Sequence, residues 1–301
     1  MPDDFAQSIN DYIQQHQLDD QFRARIEPLY LPMAAWIAQQ QANNSPLFVG
    51  INGAQGSGKS TLTGLLQLIL TSVFDKRVVT LSIDDLYLGK AERQQLAHDV
   101  HPLFITRGVP GTHDVNAGIE LFSLMRQNMH GQTITIPGFD KATDDRVARE
   151  HWRNYQLPVD IVLFEGWFVG AAPQAEDALI PPANELEAEE DADASWRTQV
   201  NHHLAGAYQE LFSFIDIMLM LAVPSMEQVY EWRGLQETKL KSSTDNSSNS
   251  GIMDKTGLKR FIMHYERLTR HQLSTLPSQV DIYMPLDQQH QIADIRIKPT
   301  S

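Results

Sequence analysis

The stretch Gly53-Ala54-Gln55-Gly56-Ser57-Gly58-Lys59-Ser60-Thr61 constrains this chain more than any other part of it. It satisfies G-x-x-x-x-G-K-[ST] at every fixed position, a spacing in which glycine-permitted turns aim consecutive backbone N–H groups inward at a di- or triphosphate. In such a cradle Lys59 sets a point cation on the β- and γ-phosphates, and the Ser60 hydroxyl completes part of a Mg²⁺ shell. A pattern this short acquires meaning from its context. Leu47 to Ile51 reads as a buried parallel strand entering the loop, and Leu62, Leu65, Leu66 and Ile69 recur at helical spacing beyond it. Strand, loop and helix come in the required order, which a chance glycine-rich turn with a surface lysine does not need.

The chain has 301 residues, 42% of them hydrophobic, enough for a large core, and is read as a single domain over residues 1–301. Its 24 Lys plus Arg stand against 38 Asp plus Glu. A surface for nucleic acid or anionic membrane would have to be built against that field, so the expected partners are small molecules. An acidic protein that handles anions must concentrate its few cations locally, which gives weight to any Lys or Arg near the phosphate loop. There is no cysteine, hence no disulfide, thiolate nucleophile or Cys-based zinc site, in keeping with a reducing cytoplasm. The N-terminus lacks a basic segment followed by an apolar one. The longest apolar run, Ile217 to Val223, falls far short of the ~20 residues of a membrane span. A soluble, cytoplasmic protein is expected, and the oligomeric state is not legible.

In chain order, residues 1–45 read as a helical extension covering one side of the sheet, with Pro32 breaking the run and no chemistry assigned. Arg77 to Ile83 is a second core strand that runs into Asp84-Asp85-Leu86-Tyr87. In an open parallel sheet every strand's carboxyl end faces the crevice that holds the phosphate loop, so Asp84 can meet a γ-phosphate. One of the pair, Asp85 before Asp84, can equally cap the turn that follows. A polar helix near Ala91 to Val100 carries His98, which with His101 reads as solvated rather than metal-binding. In the turn-rich segment Arg107 to Asp114, Arg107 and His113 are candidates for substrate contact or plain loop residues, and Asp114 caps the next helix.

Thr133 to Pro137 is a short strand, followed by Asp140, Lys141 and a charged stretch to Arg153. Val159 to Phe164 is the third core strand, and it ends in Glu165. A hard oxygen opposite Ser60 is what a Mg²⁺-organising position requires. Residues 174–195 are acidic with hardly an apolar side chain, and read as a solvated, mobile insertion loop. Ile217 to Val223 is a fourth core strand. Residues 225–252 then form a helix bearing Arg233 followed by a Ser/Asn-rich stretch over 242–251, the pattern of a lid or of any surface helix and loop. A helix near Thr256 to Leu273 and two short strands complete the chain.

Together these segments resemble the P-loop small-molecule kinases related to uridine kinase, phosphoribulokinase and pantothenate kinase, and more closely the plant-type D-glycerate 3-kinase group. The resemblance rests on Gly50 to Thr61, Ser82 to Leu88, Arg107 to Asp114, Ile136 to Lys141, Val162 to Trp167 and Val229 to Arg233, in that order over about residues 46 to 270. It implies an α/β fold, the three-layer α/β/α P-loop NTPase with a mostly parallel central sheet. It also implies ATP and Mg²⁺ as cofactors, Asp84 as base for the acceptor hydroxyl, Glu165 as the Walker B acid and Arg233 as a lid residue near the phosphates. Two departures bear on the acceptor alone: Thr143-Asp144-Asp145-Arg146 replaces a glycine- and arginine-rich motif, and Phe139 stands where a tyrosine is usual. The acidic insertion is atypical as well.

The expected activity is transfer of the ATP γ-phosphoryl group to a hydroxyl of a small polar acceptor such as D-glycerate. Lys59, Arg233 and Asp84 would be catalytic, residues 53–61 would hold the nucleotide, and Ser60 and Glu165 the metal. Acceptor contacts are expected from Asp84, Tyr87, Arg107, His113, Asp140, Lys141 and Arg146. Arg107, Lys141 and Arg146 are the cations available for an acceptor carboxylate. Two alternatives stand beside this reading: a kinase for another small alcohol, nucleoside or pantothenate-like, and an ATP-binding regulatory protein. No Asn-Lys-x-Asp guanine motif is present, and a switch has no need of the aspartate pair.

Overall fold

The structure, a computed structural model, describes residues 3–41, 45–243 and 254–298. Strand β1 (Leu47–Gly53) is buried at every position. So is β7 (Ile161–Gly166), whereas β2 (Val78–Ser82) and β8 (Ile217–Ala222) are mostly so and β9 (Ile282–Pro285) is buried at alternate positions. These five pair in parallel in the order β2, β7, β1, β8, β9, and the short β10 (Arg296–Ile297) closes one edge antiparallel to β9.

Strand alternation splits the core into two layers. Leu47, Val49 and Ile51 of β1 face Leu65, Leu66 and Ile69 of α4 (Lys59–Ser72) together with Phe5 of α1 (Asp3–Gln15) and Ile37 of α3 (Leu31–Gln40). Phe48 and Phe164 face the other way, onto Phe122 of α6 (Val115–Gln127) and Leu211 of α9 (Ala207–Phe212). Each fully buried Leu, Ile or Phe contributes about 1.5–3 kcal/mol, so α4 is fixed to the sheet mainly by its apolar face. The result is the expected three-layer α/β/α arrangement. The register pairs Ile51 and Ser82 with Glu165, which brings the carboxyl ends of β1, β2 and β7 level with one another.

Several local expectations change. Helix α2 (Asp20–Ala24) leads into a wide helical turn (Ile26–Tyr30) that continues into α3, and Pro32 lies in the first turn of α3. There its missing N–H is one the helix would leave unpaired anyway, so Pro32 opens this helix instead of breaking it. Strand β3 (Thr133–Ile136) stands apart from the main sheet and pairs with β6 (Arg153–Gln156). The charged stretch before β6 holds the small hairpin of β4 (Phe139–Asp140) and β5 (Asp145–Arg146). Helices α5 (Lys90–Asp99) and α10 (Met226–Ser243) match the helical patterns of the sequence, and α8 (Ser195–Ala205) follows the acidic stretch. The Ser/Asn-rich stretch expected over 242–251 lies outside the described residues from 244 onward.

Residues 174–195 are largely exposed, as expected, but do not form an irregular loop. They contain α7 (Glu185–Glu190), and their carboxylates meet cations of α11 (Lys255–Thr275) and α8. Glu187, 1% exposed at its side chain, takes Arg267 at 2.6 Å, and the fully buried Asp191 takes Arg197 at 2.8 Å. Glu185 pairs with Lys259, and Glu190 with Arg260. Local composition pointed to solvent because the compensating arginines of α11 lie about 70–80 residues further along the chain.

Candidate active site

The phosphate loop occupies the turn between β1 and α4. Gly56 and Gly58 adopt φ of +80° and +86°, a region that side-chain-bearing residues rarely enter, and a Cβ on Gly56 would also come within 3.3 Å of the Trp232 Cβ. Because α4 begins at Lys59, its first N–H groups lack partners within the helix and point into the turn, where the helix dipole favours an anion. The Ser60 hydroxyl donates to Glu165 Oε1 at 2.9 Å, while Glu165 Oε2 is buried with no partner in the protein. A hydroxyl beside a carboxylate with one unsatisfied oxygen suits Mg²⁺, which takes one or two carboxylates and completes its shell with water and phosphate oxygens. Among the described residues no cluster of three or more acidic or His groups forms a self-sufficient metal cage.

Beyond β2 the chain makes a tight turn over Ile83–Leu86. Asp85 Oδ2 accepts the Ser82 N–H at 2.9 Å and pairs with Arg153 at 2.8 Å, so Asp85 is the capping member of the aspartate pair. Asp84 is thereby left facing the cleft. Lys141 Nζ lies 2.6 Å from Asp84 Oδ2, and the Tyr87 hydroxyl donates to the same carboxylate. Burial opposes ionisation of Asp84, but the ammonium groups of Lys141 and Lys59 outweigh it and hold its carboxyl down to about 2.

These groups share a cleft of about 280 Å³ with Gln55, Arg107, Trp167, Arg233, Phe261 and Tyr265. Among the described residues, four cations, Lys59, Arg107, Lys141 and Arg233, line it against the single carboxylate of Asp84, in a chain whose net charge is −14. The local excess of positive charge is what a polyanionic ligand needs and what the whole-chain balance conceals. Arg233 reaches the cleft because α10 passes over the phosphate loop at Gly56.

Of the seven residues expected to contact an acceptor, the structure brings four to this cleft: Asp84, Tyr87, Arg107 and Lys141. The other three are engaged elsewhere. His113 is buried behind Tyr87, its ring stacked on the tyrosine at 4.5 Å and its Nδ1 2.7 Å from the Tyr208 hydroxyl. Burial pushes its pKa down to about 3, which makes it a neutral packing residue. Asp140 spends its carboxylate on the Ala142 N–H and the Thr143 hydroxyl, capping the β4–β5 turn. Arg146 bonds the Tyr87 carbonyl at 2.9 Å and pairs with Glu92 and Asp114, so it fixes the backbone behind Tyr87. A short-range sequence reading sees only that a side chain is polar and near a motif; Arg146 and His113 are engaged by partners brought in by the fold, and Asp140 by its own turn.

Sequence reasoning left out Trp167, Phe261 and Tyr265. The Trp167 Nε1–H donates to the Gly108 carbonyl at 2.9 Å and the Tyr265 hydroxyl to the Arg107 carbonyl at 2.7 Å, so two aromatics pin the turn that presents Arg107. Phe261 and Tyr265 stand one helical turn apart on α11, a spacing indistinguishable from an ordinary core face. A second cleft, also about 280 Å³, opens on the other side of the phosphate loop. It is lined by Leu18, Phe22 and Tyr30 of the amino-terminal helices, by Gly58 and Thr61, and by Leu286, His290 and Ile292 near the carboxyl end. Residues between Gln17 and Tyr30 therefore help wall a ligand-sized space beside the cradle, although the sequence there shows only an amphipathic pattern. His290 in turn stacks on Trp232 of α10 at 4.2 Å.

A phosphate cradle at a sheet's carboxyl edge, a facing carboxylate and a cationic cleft define a P-loop phosphotransferase. No protein-family model matches the chain. It is 33% identical over 254 residues to the "Uncharacterized kinase mug58" of Schizosaccharomyces pombe, covering 81% of this chain and 87% of that one. It is 27% identical over 272 residues to the chloroplastic D-glycerate 3-kinase of Arabidopsis thaliana, a match spanning 84% of this chain and 56% of the plant protein. Among solved structures, a D-glycerate 3-kinase from Cryptococcus neoformans superposes with a TM-score of 0.71 at 25% identity, covering 89% of this chain and 96% of that chain. The chain belongs to the P-loop small-molecule kinase family that contains mug58, and it is a phosphotransferase that uses an alcohol group as acceptor. No helix among the described residues is long and apolar enough to cross a membrane.

Proposed function

We propose that this chain transfers the γ-phosphoryl group of ATP to a hydroxyl of D-glycerate, with Mg²⁺ as cofactor, in the cytoplasm. The observation that carries this reading is the meeting of Lys59, Ser60 and Asp84 in one cleft that also holds three further cations, with Glu165 behind Ser60 at 2.9 Å. The names of the Arabidopsis and Cryptococcus relatives support glycerate as the acceptor.

Phosphoryl transfer passes through a loose, highly charged transition state, so positioning and charge stabilisation dominate. The backbone of residues 53–61 would hold the nucleotide phosphates, with Lys59 against the transferred group and Arg233, on the helix above the loop, neutralising charge from the opposite side. The acceptor hydroxyl would approach Asp84, which takes its proton as the new O–P bond forms. Tyr87 orients the Asp84 carboxylate by its hydrogen bond. Ser60 and Glu165 would hold Mg²⁺, whose chemistry is to bridge and neutralise the phosphate oxygens. The second cleft, rich in aromatic and aliphatic groups beside Gly58, suits the adenine ring. Arg107, held by Asp144, and Lys141 are the cations placed for the acceptor's carboxylate.

The test is ADP release from ATP with and without D-glycerate. Strong stimulation by D-glycerate is expected. Stimulation only by some other alcohol would reassign the acceptor, and turnover that no small alcohol accelerates would overturn the kinase reading for D-glycerate and its analogues alike.

A further inference from the structure

The Lys141–Asp84 contact is the feature of the cleft that the proposed reaction leaves unexplained. An ammonium 2.6 Å from Oδ2 occupies that oxygen and lowers the basicity of Asp84, so the paired carboxylate is a poorer proton acceptor than the unpaired one. Yet Lys141 sits on the β4–β5 turn at the mouth of the cleft with 63% of its side chain exposed, whereas Asp84 is 24% exposed. An ion pair with one member so open to solvent contributes only about 0–1 kcal/mol, so another anion can replace the Asp84 carboxylate at little cost. The three remaining cations are less available for that exchange: Lys59 belongs to the phosphate loop, Arg233 sits on the helix above that loop, and Arg107 is tied to Asp144 and lies over the Phe139 ring.

We infer that Lys141 is a latch on the catalytic base: it masks Asp84 until an acceptor's own carboxylate draws the ammonium away and leaves Asp84 open to the acceptor's hydroxyl. This rests on reading the cleft as a kinase for a small acid and extends it to a selection rule. The acceptor must carry its anion and its hydroxyl close enough to engage Lys141 and Asp84 together, which defines a short hydroxy acid and excludes a neutral polyol of the same size. The reaction then runs with the acceptor oxygen bonding to the γ-phosphorus, the bond from that phosphorus to the β-phosphate bridging oxygen breaking with its electron pair to ADP, and the hydroxyl proton passing to Asp84. A merely structural lysine in the turn would raise no barrier against neutral alcohols.

The groups that face Asp84 are Lys59, Lys141, Tyr87, Asp85, His113 and Tyr265, with Arg107 and Arg233 lining the same cleft, so removing Lys141 leaves Lys59 as the cation that most lowers its pKa. The experiment compares wild type, Lys141→Gln and Lys141→Arg in the full chain, with D-glycerate, other short hydroxy acids, and the neutral analogues glyceramide and glycerol, reading kcat/KM for each and its pH profile with the best acceptor. Lys141→Gln should lose roughly tenfold or more of the preference for acid over neutral acceptor, gain activity toward the neutral analogues and show its acid limb at higher pH, with Lys141→Arg restoring most of the preference. Phosphorylation of D-glycerate by the wild type with an unchanged preference and pH profile in Lys141→Gln would overturn the latch and leave the glycerate reading standing. Phosphorylation of a different hydroxy acid, with the preference lost in Lys141→Gln, would uphold the latch and overturn the glycerate reading. A wild type that phosphorylates only neutral alcohols would overturn both.

Discussion

Replacing Asp84 by Asn changes one atom and one charge at the centre of the proposed chemistry. The amide keeps an oxygen to accept the Tyr87 hydroxyl and the shape that the turn over Ile83–Leu86 imposes, so the fold has no reason to respond. The cleft loses the Asp84 carboxylate that faces its four lining cations and becomes more positive, so the KM for ATP should hold steady or fall. The proton acceptor, in contrast, is gone. A positioned general base contributes roughly 10²- to 10⁴-fold, or about 3–5 kcal/mol of transition-state stabilisation, and kcat should drop by that amount. Coupled ADP detection with saturating ATP and acceptor measures kcat directly, and tryptophan fluorescence with ATP reports binding separately. The low carboxyl pKa of Asp84, about 2, adds a control. With its pKa depressed the group is ionised everywhere above that value, so the wild-type rate should show no acid limb from Asp84 between pH 5 and pH 8. An Asp84→Asn rate within about tenfold of wild type would remove Asp84 from the proton's path and leave the cleft as a binding site only.

Other outcomes follow from the same geometry. Phe22→Ala should raise the KM for ATP about tenfold with kcat retained, by removing an aromatic wall of the second cleft; an unchanged KM would place the adenine elsewhere. Arg267→Ala leaves the buried Glu187 without its partner and should cost about 3–5 kcal/mol in urea unfolding, with part of the loss recovered when Glu187→Gln is added. Burial holds His113 and His264 neutral, with pKa values lowered to about 3 and about 4. Between those values and the ordinary 6.5 the unfolded chain binds protons that the folded chain refuses, so stability falls with acid, by about 2 kcal/mol per ring from pH 7 to pH 5. A urea midpoint that stays flat over that range would refute buried neutral rings.

The parts of this molecule legible in its sequence are those specified by short-range chemistry. The phosphate loop, the strand before it and the helix after it are encoded by glycines, by a run of apolar residues and by a helical repeat, all within about 25 residues. Asp84 and Glu165 were legible because a carboxylate closing an apolar strand is a local anomaly in a parallel sheet. Arg146 and His113 stand outside the cleft for the converse reason: Glu92 and Tyr208, distant in the chain, engage them, and a polar side chain near a motif looks the same whether so engaged or facing a ligand, whereas Asp140 is turned aside by its neighbour Thr143. The acidic stretch 174–195 failed in the same manner, since its cations arrive on α11 and α8. Tyr265, Phe22 and Tyr30 carried no signal at all, because aromatics that wall a cleft obey the same helical period as aromatics that fill a core.

The amino-terminal helices carry a practical consequence. Tyr12 of α1 reaches the backbone carbonyl of Thr61 at 2.6 Å, and Phe22 and Tyr30 border the second cleft. A truncated version beginning at the first strand, the natural choice for anyone trimming the protein to its recognisable motifs, would keep every signature residue and strip the apolar cover from α4. Such a fragment should aggregate or lose its grip on nucleotide while its sequence still scores as an intact kinase.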